Sequence, residues 1–212
     1  MTVNLGTVTD DVISIGTTAK DSDTGNHISL ADNRVTIIDT VKYRGLTPGK
    51  TYRLAGTLMD KSTGDPVMVN GKAVTSEKVF IPSKEKGTVD VTFIFDGSSL
   101  SGSEIVVFEK AYDVKTDTEV ADHEDINDEG QSVVIPKIAT KASDASGKTN
   151  IIKAEKDQRI TDEVSYEKLL VGKKVYSYHM AHKGRKEDPR NRGYKGVYRS
   201  SCRRHCKGRA YL

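Results

Sequence analysis

The sequence repeats itself at a spacing of 123 residues, and this tandem pattern limits the folds open to the chain. Residues 15–19 are echoed by residues 138–142, and residues 39–43 by residues 162–166, in the same order and at the same offset. Self-similarity at a fixed, domain-sized spacing is typical of an array of like domains. The pattern therefore argues against an enzyme with an unrelated second domain.

The predicted boundaries follow from where the repeat begins, recurs and stops. Residues 13–136 form a complete copy, residues 137–174 form the start of a truncated second copy, and residues 175–212 no longer match. The last segment carries eleven Lys and Arg against two acidic residues, and we expect it to be disordered. Its codons, shifted by one nucleotide, permit a continuation of the second copy, so one hypothesis is that this tail is a frameshift product.

Two features of the basic tail imitate functional sites. Cys202 and Cys206 flank His205, but one such cluster lacks the second pair of ligands that a zinc site needs. The Arg and Lys residues interleaved with Tyr imitate a nucleic-acid-binding arm. Because a shifted reading frame readily yields arginine-rich polar strings, neither a metal nor a nucleic acid is expected to bind here.

The body of the chain is predicted to consist of β-strands. No segment of ten residues keeps the 3.6-residue apolar period of a helix, whereas short β-branched runs recur between turn-forming residues. The fold class is therefore all-β, and the predicted architecture is an antiparallel Greek-key (Ig-like) β-sandwich. The predicted strands are residues 12–19, 34–43, 51–59, 74–81, 87–95, 104–113 and 131–135.

Composition excludes a membrane-spanning body and an intrinsically disordered one. Apolar residues make up 35% of the chain and charged residues 30%, and no run approaches the length of about 18 apolar residues that a membrane span needs. Residues 1–10 lack the basic start and apolar run of a secretory signal. Either the protein is cytosolic or the sequence begins inside a longer gene.

Two apparent ligand-binding motifs in the body fail on inspection. Residues 45–51 look like a phosphate-binding loop, but three residues instead of four separate the glycines and a strand follows instead of a helix. Residues 125–130 begin like a calcium-binding loop, yet Pro136 stands at the twelfth position, where a bidentate Glu is needed. We expect no cofactor, while a structural Ca²⁺ stays open.

Several polar residues of the body lie at unexpected strand positions. On the first strand, Thr17 shares a face with apolar neighbours and is predicted to point inward, while Thr18 points outward. Asp39 falls on the apolar face of the second strand, and Glu109 follows a strongly apolar run. Buried charged groups are unfavourable unless they are paired.

His123 precedes Gln131 by eight residues, and Gln131 opens the last predicted strand of the complete copy. Taken one at a time, each of these residues has an ordinary structural explanation, such as β-propensity or a solvated surface. Together with Thr17 and the two acids, they make up a nucleophile, a base, two carboxylates and an amide electrophile. No other such set occurs in the body.

The complete copy resembles the Thr-Gln ester-bond domains, also called VaFE repeats, of Gram-positive surface-anchored adhesins. The resemblance covers residues 13–136 and, in the second copy, residues 138 to about 174. It rests most specifically on the Phe108-Glu109 pair and on the block from His123 to Gln131. Further matching motifs are residues 15–19, 46–52, 56–61 and 106–109, and the block extends to residue 133.

The resemblance implies an internal covalent bond between Thr17 and Gln131, formed with loss of ammonia. His123 matches the family's base, and Asp39 and Glu109 match the acids that orient the histidine and stabilise the oxyanion, with the division of those two roles left open. The second copy contains Thr140 but no counterparts of Glu109, His123 and Gln131, so it is not expected to form the bond.

Three functions are compatible with the sequence: a structural stalk domain of a cell-wall adhesin, a ligand-binding adhesin domain without an internal cross-link, and a turnover hydrolase. The repeat and the residue set favour the stalk, and an electrophile within the chain disfavours the hydrolase. The expected partners are neighbouring repeats of the same chain, with a host ligand bound by another domain. An extracellular, cell-wall-anchored location follows from the resemblance alone.

Overall fold

The computed structural model describes residues 12–152, 156 and 158–169, together with the backbone of three further strands. Contacts within the chain divide it into one unit over Met1–Pro136 and a second over Lys137–Leu212. Among the described residues none is helical, and every ladder between strands is antiparallel. These findings confirm the predicted all-β class and the antiparallel sandwich.

The described part of the first unit contains eleven strands: β1 (Ser14–Gly16), β2 (Ala19–Asp21), β3 (Val35–Arg44), β4 (Tyr52–Asp60), β5 (Met68–Val69), β6 (Lys72–Ala73), β7 (Thr75–Phe80), β8 (Gly87–Phe95), β9 (Glu104–Asp113), β10 (Thr118–His123) and β11 (Ser132–Val134). Strands β5 and β6 form a short hairpin of their own.

The first sheet is built on β3, with β8 along one edge and β1 and β2 along the other. The residues of β3 alternate between buried and less buried positions, so Ile37, Asp39 and Val41 all face inward. Strands β1 and β2 follow one register along β3, and Thr18 between them exchanges both backbone hydrogen bonds with Thr40. The predicted first strand therefore runs past Thr17 without a shift in register.

The second sheet is built on β9, with β4 and then β7 on one side and β10 and β11 on the other. The side formed by β10 and β11 is interrupted by residues 124–131, which leave the sheet after His123 pairs with Glu109; pairing resumes three residues along β9, where Ser132 pairs with Val106. The Ala19 N–H donates to the Gly130 oxygen at 2.9 Å, which ties this loop to the first sheet. Consequently the loop lies next to Thr17.

The core fills the space between the two sheets. Phe93 of the first sheet and Leu54 and Leu58 of the second are almost fully buried, and they belong to one apolar cluster. Burying such side chains stabilises the fold by about 1.5–3 kcal/mol each. This apolar packing surrounds the few polar groups that point inward.

Sequence patterning missed β10. This strand contains Glu119, Asp122 and His123, lies at the edge of its sheet and carries a register irregularity next to Val120. An edge strand with polar side chains shows neither regular alternation nor β-branched enrichment, so the periodicity gave no signal.

The described part of the second unit contains β12 (Lys137–Asp144), β13 (Ile160–Glu167), β14 (Val175–His179), β15 (Gly196–Ser200) and β16 (Gly208–Tyr211). Strand β12 pairs with β13, which pairs with β16, and β14 pairs with β15. Ile138 faces Tyr166 as Ile15 faces Tyr43, so the repeat is kept in the pairing register as well as in the sequence.

The remainder of residues 175–212, including Cys202 and Cys206, lies outside the described residues. The expected disorder of this tail and its origin in a frameshift therefore stay predictions.

Candidate functional site

The central pair of the site is Thr17 with Gln131. Gln131 is fully buried and Thr17 nearly so, and Gln131 Nε2 donates a hydrogen bond to Thr17 Oγ1 over 2.6 Å. Thr18, the next residue, is exposed. The structure thus confirms the inward orientation predicted for Thr17 and brings together two side chains that are 114 residues apart.

The loop of residues 124–131 holds Gln131 in place through main-chain contacts. The Gly130 N–H donates to Asp128 Oδ1 at 2.7 Å, and Ser132 Oγ donates to the Asp128 carbonyl at 2.8 Å. The Val107 N–H then donates to the Gln131 carbonyl at 3.1 Å. The carboxamide is therefore mounted on a hydrogen-bonded turn, and its position does not depend on side-chain packing alone.

His123 contacts the backbone of Thr17 and the side chain of Asp128. Its Nδ1 accepts the Thr17 N–H at 3.2 Å, and its Nε2 lies 3.0 Å from Asp128 Oδ2. These contacts assign the proton to Nε2, because Nδ1 is used as an acceptor. Asp128 is the carboxylate that orients the imidazole. It lies within the block from His123 to Gln131, but the sequence alone did not suggest a role for it.

Asp39 and Glu109 are both fully buried, on β3 and β9. Burial raises the pKa of Asp39 to about 7, while the nearby Thr17 hydroxyl and Thr18 N–H act in the opposite direction by stabilising the charged form. Burial, followed by repulsion from Asp39, raises the pKa of Glu109 to about 9. Glu109 is accordingly a neutral acid at pH 7.

The two carboxyl groups are polar atoms in an otherwise apolar interior. The Thr17 hydroxyl and the Thr18 N–H approach Asp39, but among the described residues none of the four carboxyl oxygens has a well-formed hydrogen bond, and the same holds for Gln131 Oε1. Buried polar atoms without partners destabilise a fold, and they cluster where a protein carries out chemistry. The unsatisfied atoms belong to three of the five residues that the sequence singled out.

All five predicted site residues therefore lie around one buried point, although neither Asp39 nor Glu109 hydrogen-bonds to His123 in the described region.

The described residues include no group of three or more His, Cys, Asp or Glu arranged to hold a metal. At the start of the calcium-like segment, Asp125 accepts the Asn127 N–H at 2.9 Å. Nor does the part of the chain described here contain a helix long and apolar enough to cross a membrane.

Comparison with protein families agrees with this geometry. The model of the T-Q ester bond containing domain matches residues 13–135 and again residues 136–195. The chain belongs to this family. The two consecutive matches confirm the tandem arrangement, and the second T-Q ester bond domain match extends past residue 174, where the recognisable sequence echo ends.

Solved structures with similar folds include a bacterial adhesin from Mobiluncus mulieris that contains intramolecular disulfide, isopeptide and ester bond cross-links. In one crystal form it is 16% identical, with 80% of this chain and 87% of that chain covered and a TM-score of 0.48. In another the identity is 13%, the covered shares are 89% and 93%, and the TM-score is 0.47.

A family 2 glycosyl hydrolase from Bacteroides cellulosilyticus is 16% identical, with 60% of this chain and 16% of that chain covered and a TM-score of 0.40. No curated protein matches the chain.

Proposed function

We propose that the chain is a structural stalk segment of a cell-surface adhesin, in which Thr17 and Gln131 condense into an intramolecular ester. The observation that carries the proposal is the buried 2.6 Å contact between Gln131 Nε2 and Thr17 Oγ1. Membership of the T-Q ester bond domain family and the tandem repeat support it.

The proposed reaction balances without any cofactor. A bond forms between Thr17 Oγ1 and the side-chain carbonyl carbon of Gln131, and the bond from that carbon to Nε2 breaks. The hydroxyl proton of Thr17 passes to the departing nitrogen, so one ammonia leaves. Because the electrophile is part of the chain, the first domain reacts once and the protein is not a turnover enzyme.

Asp39 is our candidate for the group that takes the proton from Thr17. The hydroxyl lies close enough to lower the pKa of this carboxyl, and the resulting pKa of about 7 suits a base at neutral pH. The family resemblance assigns this role to His123 instead. The geometry favours Asp39, because His123 Nδ1 accepts the main-chain N–H of Thr17 and its Nε2 faces Asp128.

Glu109 supplies the second acid of the proposed mechanism. With a pKa of about 9 it carries a proton at neutral pH, and so it adds no second negative charge beside Asp39. A protonated carboxyl in an apolar site is a hydrogen-bond donor that water does not compete for. We assign it to stabilising the negative charge that develops on the attacked carboxamide.

The ester must persist in an aqueous environment, and burial supplies the protection. Gln131 has no exposed surface, and Val107 and Val133 beside it are equally enclosed. Excluding water from a reactive centre prevents hydrolysis of the acyl product. The reaction is therefore expected to follow folding, because only the folded chain brings the two groups together in a dry interior.

The position of the bond suits a stalk. It connects Thr17, between the first two described strands, to Gln131, directly before β11, so a pulling force passes through the ester and bypasses the residues between. Neighbouring repeats of the same chain are the proposed partners, with a host ligand bound by another domain. The location we propose is extracellular, on a cell-wall-anchored adhesin.

The mass of the intact chain tests the proposed bond. The wild-type chain, at 23.2 kDa, should be lighter than its sequence mass by one ammonia, and the Thr17→Val and Gln131→Met variants should have their full mass. Thr18→Val is the matched control, because Thr18 is adjacent and exposed, and it should still lose ammonia. A folded wild-type chain of full mass would refute the ester.

Asp128→Asn should slow ester formation without preventing it. The substitution removes the carboxylate that orients His123, and misplacement of a positioning group costs roughly tenfold to a hundredfold in rate. The rate is measured by refolding urea-denatured chain and quenching samples for mass spectrometry. Asp125→Asn, in the same loop but without a contact to His123 among the described residues, should react at the wild-type rate; equal rates for the two variants would contradict the role of Asp128.

A further inference from the structure

A glycine occupies an inward-facing position in the middle of β4, between the buried side chains of Leu54 and Leu58. Glycine in a strand interior weakens the strand, and it marks positions where another group approaches the backbone closely. The backbone of Gly56 does not have a positive φ. The backbone conformation therefore does not require glycine at position 56. The requirement must instead be that no side chain occupies the space next to this backbone.

The group that fills this space is the carboxyl of Glu109. Gly56 pairs with Glu109 across β4 and β9. A Cβ added to Gly56 would lie 2.9 Å from Cδ of Glu109 and would overlap both its Oε1 and the ring of Phe93. The Glu109 carboxyl thus lies directly over the Gly56 backbone and against the Phe93 ring, which comes from the opposite sheet.

This slot determines where the acid lies. Glu109 has no well-formed hydrogen bond among the described residues, so polar contacts do not fix its carboxyl. Packing between Gly56 and Phe93 is the remaining constraint that holds it in the interior close to Asp39. Any larger residue at position 56 would displace the carboxyl from this position.

We propose that Gly56 is a positioning residue for ester formation, because its missing side chain creates the slot that holds the Glu109 carboxyl at the reaction centre. The inference rests on the proposed ester. It predicts that positions 56 and 109 are coupled: adding a methyl group at 56 harms the reaction while the acid has its full length, and harms it much less when the acid is one methylene shorter.

The test measures loss of ammonia during refolding of the full chain, with circular dichroism to verify folding. Gly56→Ala should react about a hundredfold more slowly than the wild type, as expected for a misplaced reactive group. Gly87→Ala is the matched control. A Cβ at Gly87 would lie 2.5 Å from Oη and 2.9 Å from Cζ of Tyr43, a close contact with one side chain in a strand away from the site, and this variant should react as the wild type does.

A double-mutant cycle separates positioning from general destabilisation. The rate penalty of Gly56→Ala should be at least about tenfold smaller in the Glu109→Asp background than in the wild-type background. Equal penalties in both backgrounds, or a folded Gly56→Ala chain as fast as Gly87→Ala, would overturn the proposal.

If Gly56→Ala does not fold, the proposal is tested on the Gly56→Ala/Glu109→Asp chain instead. With Phe93→Leu added to relieve the overlap that Glu109→Asp leaves in place, it should fold and react within about tenfold of the Glu109→Asp/Phe93→Leu chain, and failure to do either contradicts the proposal. A wild-type chain that folds without losing ammonia refutes the proposed function, a result distinct from any of these.

Discussion

The cross-linked first unit should have a free energy of unfolding about 4–5 kcal/mol higher than that of the Thr17→Val variant. An ester between Thr17 and Gln131 closes a loop across 114 residues, and restricting the unfolded chain by a loop of this size stabilises the folded state by roughly that amount. Valine keeps the shape of threonine and removes the nucleophile, so little of the difference arises from packing; the variant also removes the Thr17 Oγ1 acceptor of Gln131 Nε2, and the loss of that buried hydrogen bond adds to the difference.

Hydrogen exchange of amides in β3 and β9 measures this difference in the first unit, because core strands exchange through global opening. Thr18→Val again serves as the control, since it changes a neighbouring exposed residue and leaves the ester intact. Its protection should match that of the wild type. Equal protection in Thr17→Val and in a wild type that has lost ammonia would show that the bond does not stabilise the unit.

The same bond sets how far the unit extends under force. In Thr17→Val, unfolding of the segment between the two positions should release up to about 390 Å of chain, since the positions are 114 residues apart and an extended residue spans about 3.4 Å. In the wild type that extension should be absent, because tension passes through the ester. Optical-tweezer traces distinguish the two cases, and release of this length from cross-linked chains would contradict the proposed mechanical role.

The sequence contained most of the information on the fold. Alternation along residues 34–43 and 87–95 predicts two strands that the structure has as β3 and β8, because a sheet with one buried face requires that period. The edge strand β10 was not predicted, since an edge strand does not require the regular alternation of apolar and polar side chains. The short β5 and β6 were missed for lack of length.

A site residue could be predicted where a polar side chain interrupts the apolar face of a predicted strand. Asp39 breaks an apolar face, and the structure buries it fully. Asp128 and Gly56 carry no such conflict in the sequence: an acid in a loop and a glycine in a strand are both ordinary. Their importance depends on which atoms lie beside them in the folded chain, namely the imidazole of His123 and the carboxyl of Glu109, and that information is three-dimensional.

The rate of ester formation should depend on pH as a bell. Asp39 must be ionised to take the proton from Thr17, so the rate rises as pH increases through its pKa of about 7. Glu109 must stay protonated, so the rate falls as pH increases through its pKa of about 9. Because Asp39 and Glu109 interact, the midpoint pH of each limb is a property of the pair of acids and not of either acid alone. Refolding at a series of pH values, followed by mass spectrometry of quenched samples, gives the profile.

Substitutions at the acids and the histidine identify the base. Asp39→Asn should slow the reaction by about a thousandfold, in the range expected for loss of a general base, whereas His123→Gln should retain far more activity because it removes only a positioning contact. Exposed Asp90 repels the charge of Asp39 and raises its pKa, so Asp90→Asn should keep the maximal rate and move the rising limb to lower pH. Should His123→Gln abolish the reaction while Asp39→Asn remains active, the imidazole is the base and the carboxylate is not.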